Sequence, residues 1–268
     1  MDILYFLQYA FIQKAFLAGS FVAITCAVLG MFLVLRKMSL IGDGLSHVSF
    51  GAIALGLFFG FYPFYIAVPI VMIGALIILK ITERARVYGD AAIGIVSAVG
   101  IAGGVILASA SNGFNIDLFS YLFGNILAIS TTEVFLSIIL SFVVLITIYF
   151  FYWDLFSATF DEEYAKTTGI KTHLINTILA ILTAITVVLS IKVVGVMLVS
   201  ALLIFPAVTA LQIAKGFKKA ILYAVMFSLL SVLIGITISF FLDFPAGATI
   251  VMVNALFFGI TFLYKKLA

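Results

Sequence analysis

Apolar stretches of about 20 residues, separated by short polar connections, run through the chain from end to end. A helix needs about 20 mostly apolar residues to cross the hydrocarbon layer of a membrane, so each stretch is a candidate span. The candidate spans are residues 12–35, 39–60, 63–82, 91–110, 131–153, 174–191, 194–214, 220–241 and 246–264. Very short connections join the last two pairs, so the sequence predicts eight to nine transmembrane helices, with nine preferred.

The composition excludes a soluble globular protein. Hydrophobic residues make up 65% of the 268 positions and charged residues only 9%, whereas soluble domains carry about a quarter charged residues. The chain has no G-x-x-x-x-G-K-[ST] phosphate loop and no H-E-x-x-H motif, which argues against P-loop nucleotide binding and against a membrane metalloprotease. We therefore expect one all-α polytopic membrane domain over residues 1–268, and not an enzyme.

The lysines and arginines predict the orientation, because basic residues accumulate on the cytoplasmic side of membrane proteins. If the first span ends in the cytoplasm at Arg36 and Lys37, alternation of nine spans places twelve of the fourteen basic residues on that side. The exceptions are Lys14 and Lys192. The N-terminus is therefore expected outside and the C-terminus in the cytoplasm.

Asp43 and His47 are the only ionisable residues well inside the second apolar stretch. Residues four apart project from the same face of a helix. Ser39 and Ser46 extend this face into a narrow polar stripe and are candidate lining residues of a pathway. Ionisable groups are costly in hydrocarbon, so such a pair is a functional-site candidate by default. One carboxylate and one imidazole offer a divalent transition metal an oxygen and a nitrogen ligand.

Two ligands alone hold a metal ion poorly. A symmetric dimer that brings two copies of this helix together supplies four ligands, enough for a tetrahedral site. Two other interpretations stay open: the two side chains hydrogen-bond neighbouring helices or each other in a structural role, or the histidine relays protons, since imidazole titrates near neutrality. The cost of these groups in lipid favours a role in a substrate pathway.

The most polar stretch of the chain runs from Asp161 to Gly169, inside a segment of about residues 154–173. We expect a short amphipathic helix here, because glycine commonly ends a helix. This helix either docks into a partner protein or is a solvated loop of mixed charge.

Three weaker candidates lie elsewhere. Pro206 removes a backbone hydrogen bond within a span, and both Pro206 and the nearby Ser200 are candidate lining residues of the pathway. Asp243 lies beside the turn at Pro245 and is a candidate entrance-lining residue. Residues 119–125 are apolar but too short to span, so a re-entrant or interfacial helix is expected there.

Five stretches, taken in order, resemble the permease subunit of bacterial zinc/manganese ABC importers. They are Ser39–His47 (SLIGDGLSH), Asp90–Ile95 (DAAIGI), Phe160–Ile170 (FDEEYAKTTGI), Val194–Ala207 (VGVMLVSALLIFPA) and Pro245–Ile250 (PAGATI). The resemblance covers essentially the whole chain, and the first and fourth stretches are the most specific.

The resemblance implies an all-helical permease of the bacterial cytoplasmic membrane that forms a homodimer around a central pathway. Its implied partners are cytosolic ATPase subunits and an extracytoplasmic metal-binding protein. No cofactor is expected; zinc or manganese, with iron as a further candidate, is the expected substrate. Asp43 and His47 are then expected to be metal ligands in the pathway. The residues expected to couple to the ATPase are Asp161, Glu162, Glu163, Ala165 and Gly169.

Two alternative functions are an iron-chelate or cobalamin type of ABC permease and a stand-alone ion-coupled metal carrier. A bulky chelate needs a wide chamber without a compact ligand pair, so Asp43 and His47 speak against the first alternative. Dependence of uptake on ATP separates the importer from the stand-alone carrier.

Overall fold

The computed structural model of the protein describes residues 8–84, 89–110, 124, 129–196 and 199–267. Every regular element in these ranges is an α-helix, as expected for a chain whose backbone groups must be satisfied within hydrocarbon. The helices are α1 (Ala10–Leu35), α2 (Ile41–Phe58), α3 (Pro63–Arg84), α4 (Gly89–Ala110), α5 (Thr131–Phe150), α6 (Tyr152–Phe160), α7 (Glu162–Thr167), α8 (Thr172–Val194), α9 (Val199–Ile213), α10 (Phe217–Leu242) and α11 (Ala246–Leu267).

Eight helices in the described ranges are long and apolar enough to cross a membrane, and α9 is an apolar helix of intermediate length. The eight are α1 to α5, α8, α10 and α11. The prediction of an all-α polytopic protein with eight to nine spans is confirmed. Of the predicted span 194–214, the described residues Val199–Ile213 form α9, while Val194 is the last residue of α8.

The predicted span 131–153 is wrong at its end, because the helix stops at Phe150 and α6 begins at Tyr152. Asp154, which was expected to open the polar segment, lies inside α6. Hydropathy does not detect this break, because Phe151 is flanked on both sides by aromatic residues. The helix predicted at residues 119–125 lies outside the described residues, except for Gly124.

The connection between α1 and α2 is a tight turn with a lysine where glycine is usual. Lys37 has φ 57°, the left-handed conformation that ends many helices. The Met38 N–H donates to Leu33 O at 2.9 Å and the Lys37 N–H to Val34 O at 3.1 Å, which together form a Schellman motif. The first turn of α2 is therefore held close to the last turn of α1.

Contacts between helix ends define two faces of the bundle. Arg36 at the end of α1 bonds Ala158 of α6, and Phe217 at the start of α10 packs on Tyr152, so these ends share the face that carries α7. We call it the α7 face. Tyr9, just before α1, packs on Phe240 near the end of α10 at the opposite face.

Helices α2 and α4 touch backbone to backbone. A Cβ atom on Gly51 of α2 would lie 2.5 Å from the carbonyl oxygen of Gly100 of α4. A Cβ atom on Gly100 would lie 2.9 Å from the carbonyl oxygen of His47. Small residues permit such approaches in membranes, where packing rather than the hydrophobic effect joins helices. Helix α4 therefore sets the position of the α2 backbone at His47.

Candidate metal-transport site

Asp43 and His47 lie in the first two turns of α2. Asp43 is the third residue of the helix, whose N-cap residue Leu40 makes no side-chain cap hydrogen bond. A carboxylate at this position is stabilised by the positive end of the helix dipole. His47 follows one turn later on the same face, so the structure brings the two side chains together as the spacing predicts.

The carboxylate and imidazole approach each other without forming a hydrogen bond. Asp43 Oδ2 and His47 Nε2 are 3.7 Å apart, longer than a hydrogen bond between them allows. The Asp43 side chain is 45% exposed and the His47 side chain 22% exposed. Their ligand atoms are therefore open to a third group. Since exposure of such groups to lipid is costly, the open side is expected to face a cation, water or another protein chain.

The pair opens between α9 and α4. A Cβ atom on Gly42 would meet Leu203 Cδ1 of α9 at 2.5 Å, and one on Gly44 would meet Ile93 Cγ2 of α4 at 2.5 Å. Residues next to each other in a helix point about 100° apart, so Asp43 projects into the gap between these two contacts. A ligand can therefore approach the carboxylate through this gap.

The other predicted lining residues are placed in different parts of the fold. Ser46 is fully buried, and its hydroxyl donates to Asp43 O at 2.7 Å. Ser200 lies beside α2, since its Cα is 3.9 Å from a Cβ placed on Gly42. Ser39 is half-buried in the turn before α2. Three of the predicted residues thus lie close to the pair.

Pro206 and Asp243 are not brought to the pair. Pro206 is buried within α9, more than one turn beyond Ser200. Asp243 is the left-handed C-cap residue of α10 and is exposed at the face opposite α7. It lines a cavity of about 500 Å³ with Phe11 and Phe244. A role for Asp243 at an entrance stays a prediction.

One chain supplies only two metal-ligating side chains at this place. Within the described ranges, no group of three or more His, Cys, Asp and Glu side chains is arranged to hold a metal ion. A tetrahedral transition-metal site needs four donors. If the pair binds a transition metal, the remaining donors must be other groups, such as water or side chains of a second copy of the chain.

Helix α7 has the form predicted for the polar segment. The Asp161 carboxylate accepts from the Tyr164 N–H at 2.8 Å and caps the helix. The helix ends in a second Schellman motif, in which Gly169 has φ 88° and the Ile170 N–H donates to Ala165 O at 3.0 Å. Ala165 is fully buried and anchors the helix. The other side of α7, with Glu163 and Tyr164, is exposed.

Two features near the pair were not found by sequence reasoning. Gly100 packs closely against the backbone of α2 at His47. The only sequence signal for this contact was the high frequency of glycine in residues 94–104. Arg36 was interpreted only as a marker of orientation, yet its side chain is buried at 7% exposure. An arginine between two apolar stretches does not reveal whether it faces solvent or another helix.

The helices and the pair define a class: a polytopic α-helical membrane protein with an ionisable site inside a span. The model of the family described as ABC 3 transport family matches residues 8–265. The chain belongs to this family and is a membrane component of a transport system.

Relatives with known names agree with this assignment. The chain is 35% identical over 259 residues to the manganese transport system membrane protein MntC of Halalkalibacterium halodurans, covering 97% of this chain and 89% of the relative. It is 34% identical over 252 residues to the high-affinity zinc uptake system membrane protein ZnuB of Haemophilus influenzae, covering 94% and 96%.

A solved structure shows the same fold. A chain of PsaBC from Streptococcus pneumoniae in complex with Fab superimposes with a TM-score of 0.88 at 33% identity, covering 97% of this chain and 94% of that one. The resemblance stated from the five sequence stretches is confirmed.

Proposed function

We propose that the chain is the permease subunit of an ATP-driven importer that moves divalent zinc or manganese by alternating access. The observation that carries the proposal is the open pair on α2, with Asp43 Oδ2 and His47 Nε2 separated by 3.7 Å. Oxygen and nitrogen donors suit both metals. The names of the relatives support the same pair of ions.

A second copy of the chain completes the site in this proposal. Two protomers related by a two-fold axis contribute two carboxylates and two imidazoles, which are four donors for one ion. His47 binds in its neutral form, because a metal ligand must be deprotonated. Each protomer holds only half of the donors, so separation of the two α2 helices releases the ion.

The proposed orientation places the α7 face in the cytoplasm of a bacterium. The basic residues in the turn after α1 and in the last turn of α11, Lys265 and Lys266, lie on this face, in agreement with the positive-inside rule. Exposed α7 then faces cytosolic ATPase subunits. The opposite face, with Asp243, faces an extracytoplasmic metal-binding protein.

Uptake by vesicles that contain the permease, its ATPase subunits and its binding protein tests the proposal. The interior of the vesicle corresponds to the cytoplasm, and we expect ATP enclosed there to drive uptake of zinc or manganese. Iron is assayed in parallel to establish the preferred ion. Vesicles with ADP in place of ATP are the control. Equal uptake with ADP contradicts an ATP-driven importer and favours a stand-alone carrier.

We expect substitution of the exposed side of α7 to weaken binding of the ATPase subunits. Tyr164 is 61% exposed and lies outside the caps at Asp161 and Gly169, so Tyr164→Ala should leave the helix folded. An aromatic hot-spot residue at an interface contributes about 2 kcal/mol or more, so affinity should fall about thirtyfold or more. Binding of purified ATPase subunit to the permease measures this.

Tyr264→Ala is the matched control for Tyr164→Ala. Tyr264 lies near the end of α11 on the α7 face and is 65% exposed, so the two variants lose the same side chain at a similar exposure. Affinity should be unchanged in Tyr264→Ala. Equal affinities of the Tyr164→Ala variant and the unaltered protein contradict docking through α7.

A further inference from the structure

A buried arginine connects the end of α1 to the segment that contains α7. The Arg36 side chain is only 7% exposed. Its Nη2 donates to Ala158 O of α6 at 3.3 Å and lies 3.9 Å from Glu162 Oε2 of α7. Burial lowers the pKa of the Arg36 guanidinium, and the Glu162 carboxylate opposes this effect. Because arginine titrates far above neutrality, the group stays charged, and the contact is an ion pair.

The same arginine also lines a cavity next to α2. Arg36 Nη1 is buried and has no hydrogen-bond partner in the part of the chain that the structure describes. The cavity has a volume of about 170 Å³, and its lining includes Ile41, the first residue of α2, and the acidic residues Glu83 and Glu162. Asn176 of α8 lines it too, and Asn176 Oδ1 likewise lacks a partner among the described residues.

An acceptor and a donor without partners at one cavity allow a second position of the guanidinium. The cavity has the volume of several water molecules, each of which occupies about 30 Å³ in the liquid. Glu162 lines the same cavity, so the guanidinium can shift toward Asn176 and stay beside Glu162 as it does so.

The backbone connects Arg36 to the metal-ligand pair over a short distance. The Schellman motif with Lys37 and Met38 joins Arg36 to the first turn of α2, and Asp43 is the seventh residue after Arg36. Hydrogen-bonded turns and helices are stiff elements that pass displacement along the chain. A shift of Arg36 therefore reaches Asp43 without passing through any other helix.

We propose that Arg36 is a positioning residue that couples the position of α7 to the position of α2, and hence of Asp43 and His47. The inference rests on the proposed function, in which α7 docks to an ATPase subunit. Movement of α7 during ATP hydrolysis pulls Arg36 through Ala158 O and Glu162. The turn at Lys37 then moves the start of α2.

The ratio of metal transported to ATP hydrolysed, measured in vesicles with the complete complex, tests this coupling. Arg36→Met keeps the length of the side chain and removes its charge and hydrogen bonds. We expect this ratio to fall about tenfold, within the usual range of coupling between sites, while ATP hydrolysis continues. A role in folding alone lowers transport and hydrolysis in proportion and leaves the ratio unchanged, so an unchanged ratio overturns the proposal.

Lys166→Met is the matched control, because Lys166 Nζ also pairs with Glu162, at 3.1 Å, but does not contact α1. We expect its ratio to stay within about twofold, since exposed ion pairs contribute little. An equal fall in Lys166→Met and Arg36→Met overturns a specific role of Arg36.

Glu162→Gln weakens the same ion pair from the α7 side. It replaces Arg36→Met as the test variant if the complex that contains Arg36→Met does not assemble. A lowered ratio with this variant supports the proposal, and an unchanged ratio overturns it. If the unaltered complex does not couple ATP hydrolysis to uptake, the proposed function itself is contradicted. This outcome is distinct from failure of the Arg36 proposal, in which the unaltered complex couples normally.

Discussion

Metal uptake should fall on the order of a hundredfold in Asp43→Ala and in His47→Ala, since loss of even a group that supports a ligand commonly costs 10–100-fold. Each substitution removes one of the two donor types of the pair, and in a symmetric dimer it removes both copies. The expression level and the thermal unfolding temperature should change little, because both side chains are partly exposed. Initial rates of zinc and manganese uptake measure the effect.

Ser46→Ala is the control for both substitutions. Ser46 lies on the same stripe of α2. Its hydroxyl already donates its proton to the Asp43 carbonyl oxygen, so it cannot donate a hydrogen bond to another group in the pathway. Uptake by Ser46→Ala should therefore remain close to that of the unaltered protein. Normal uptake by Asp43→Ala and His47→Ala, at normal expression, removes the pair from the mechanism.

Gly100→Ala should impair uptake although residue 100 does not touch the ligand atoms. The new Cβ atom would lie 2.8 Å from Val48 Cα and 2.9 Å from His47 O, so α4 must move away from α2. Overpacking of this kind costs typically 1–3 kcal/mol of stability. A displacement approaching 1 Å at a site can cost on the order of a hundredfold in rate. Both uptake and the unfolding temperature should fall.

Gly103→Ala separates this steric effect from loss of a glycine. Gly103 lies on the same helix, and nothing is found within 4 Å of a Cβ atom placed on it. The substitution should leave uptake unchanged and stabilise α4 slightly, because alanine is favoured over glycine in helices. Equal behaviour of the two variants would show that contact between the α2 and α4 backbones does not position His47.

The membrane-spanning helices were predictable because hydropathy and helix length are tied by the thickness of the hydrocarbon layer. The predicted span 220–241, for example, is observed as Phe217–Leu242. Breaks within apolar runs were not predictable in this way. The interruption at Phe151 depends on tertiary contacts that hydropathy does not record.

For the site, sequence spacing predicted what lies on one element and missed what lies between elements. Asp43 and His47 are one helical turn apart, so their proximity follows from α2 alone. The contact of Gly100 with His47 joins residues 53 positions apart, and the contact of Arg36 with Ala158 joins residues 122 positions apart. Neither pair has a periodic signal, and only the packing of the helices reveals them.

The place of Asp43 in the first turn of α2 affects how firmly a cation is held beside it. Asp43 is the third residue of this helix, so the partial positive charge of the α2 N-terminus is close to its carboxylate. This charge stabilises the empty carboxylate and repels an arriving dication. In the proposed site an ion should therefore be held only briefly, which favours rapid turnover over tight capture.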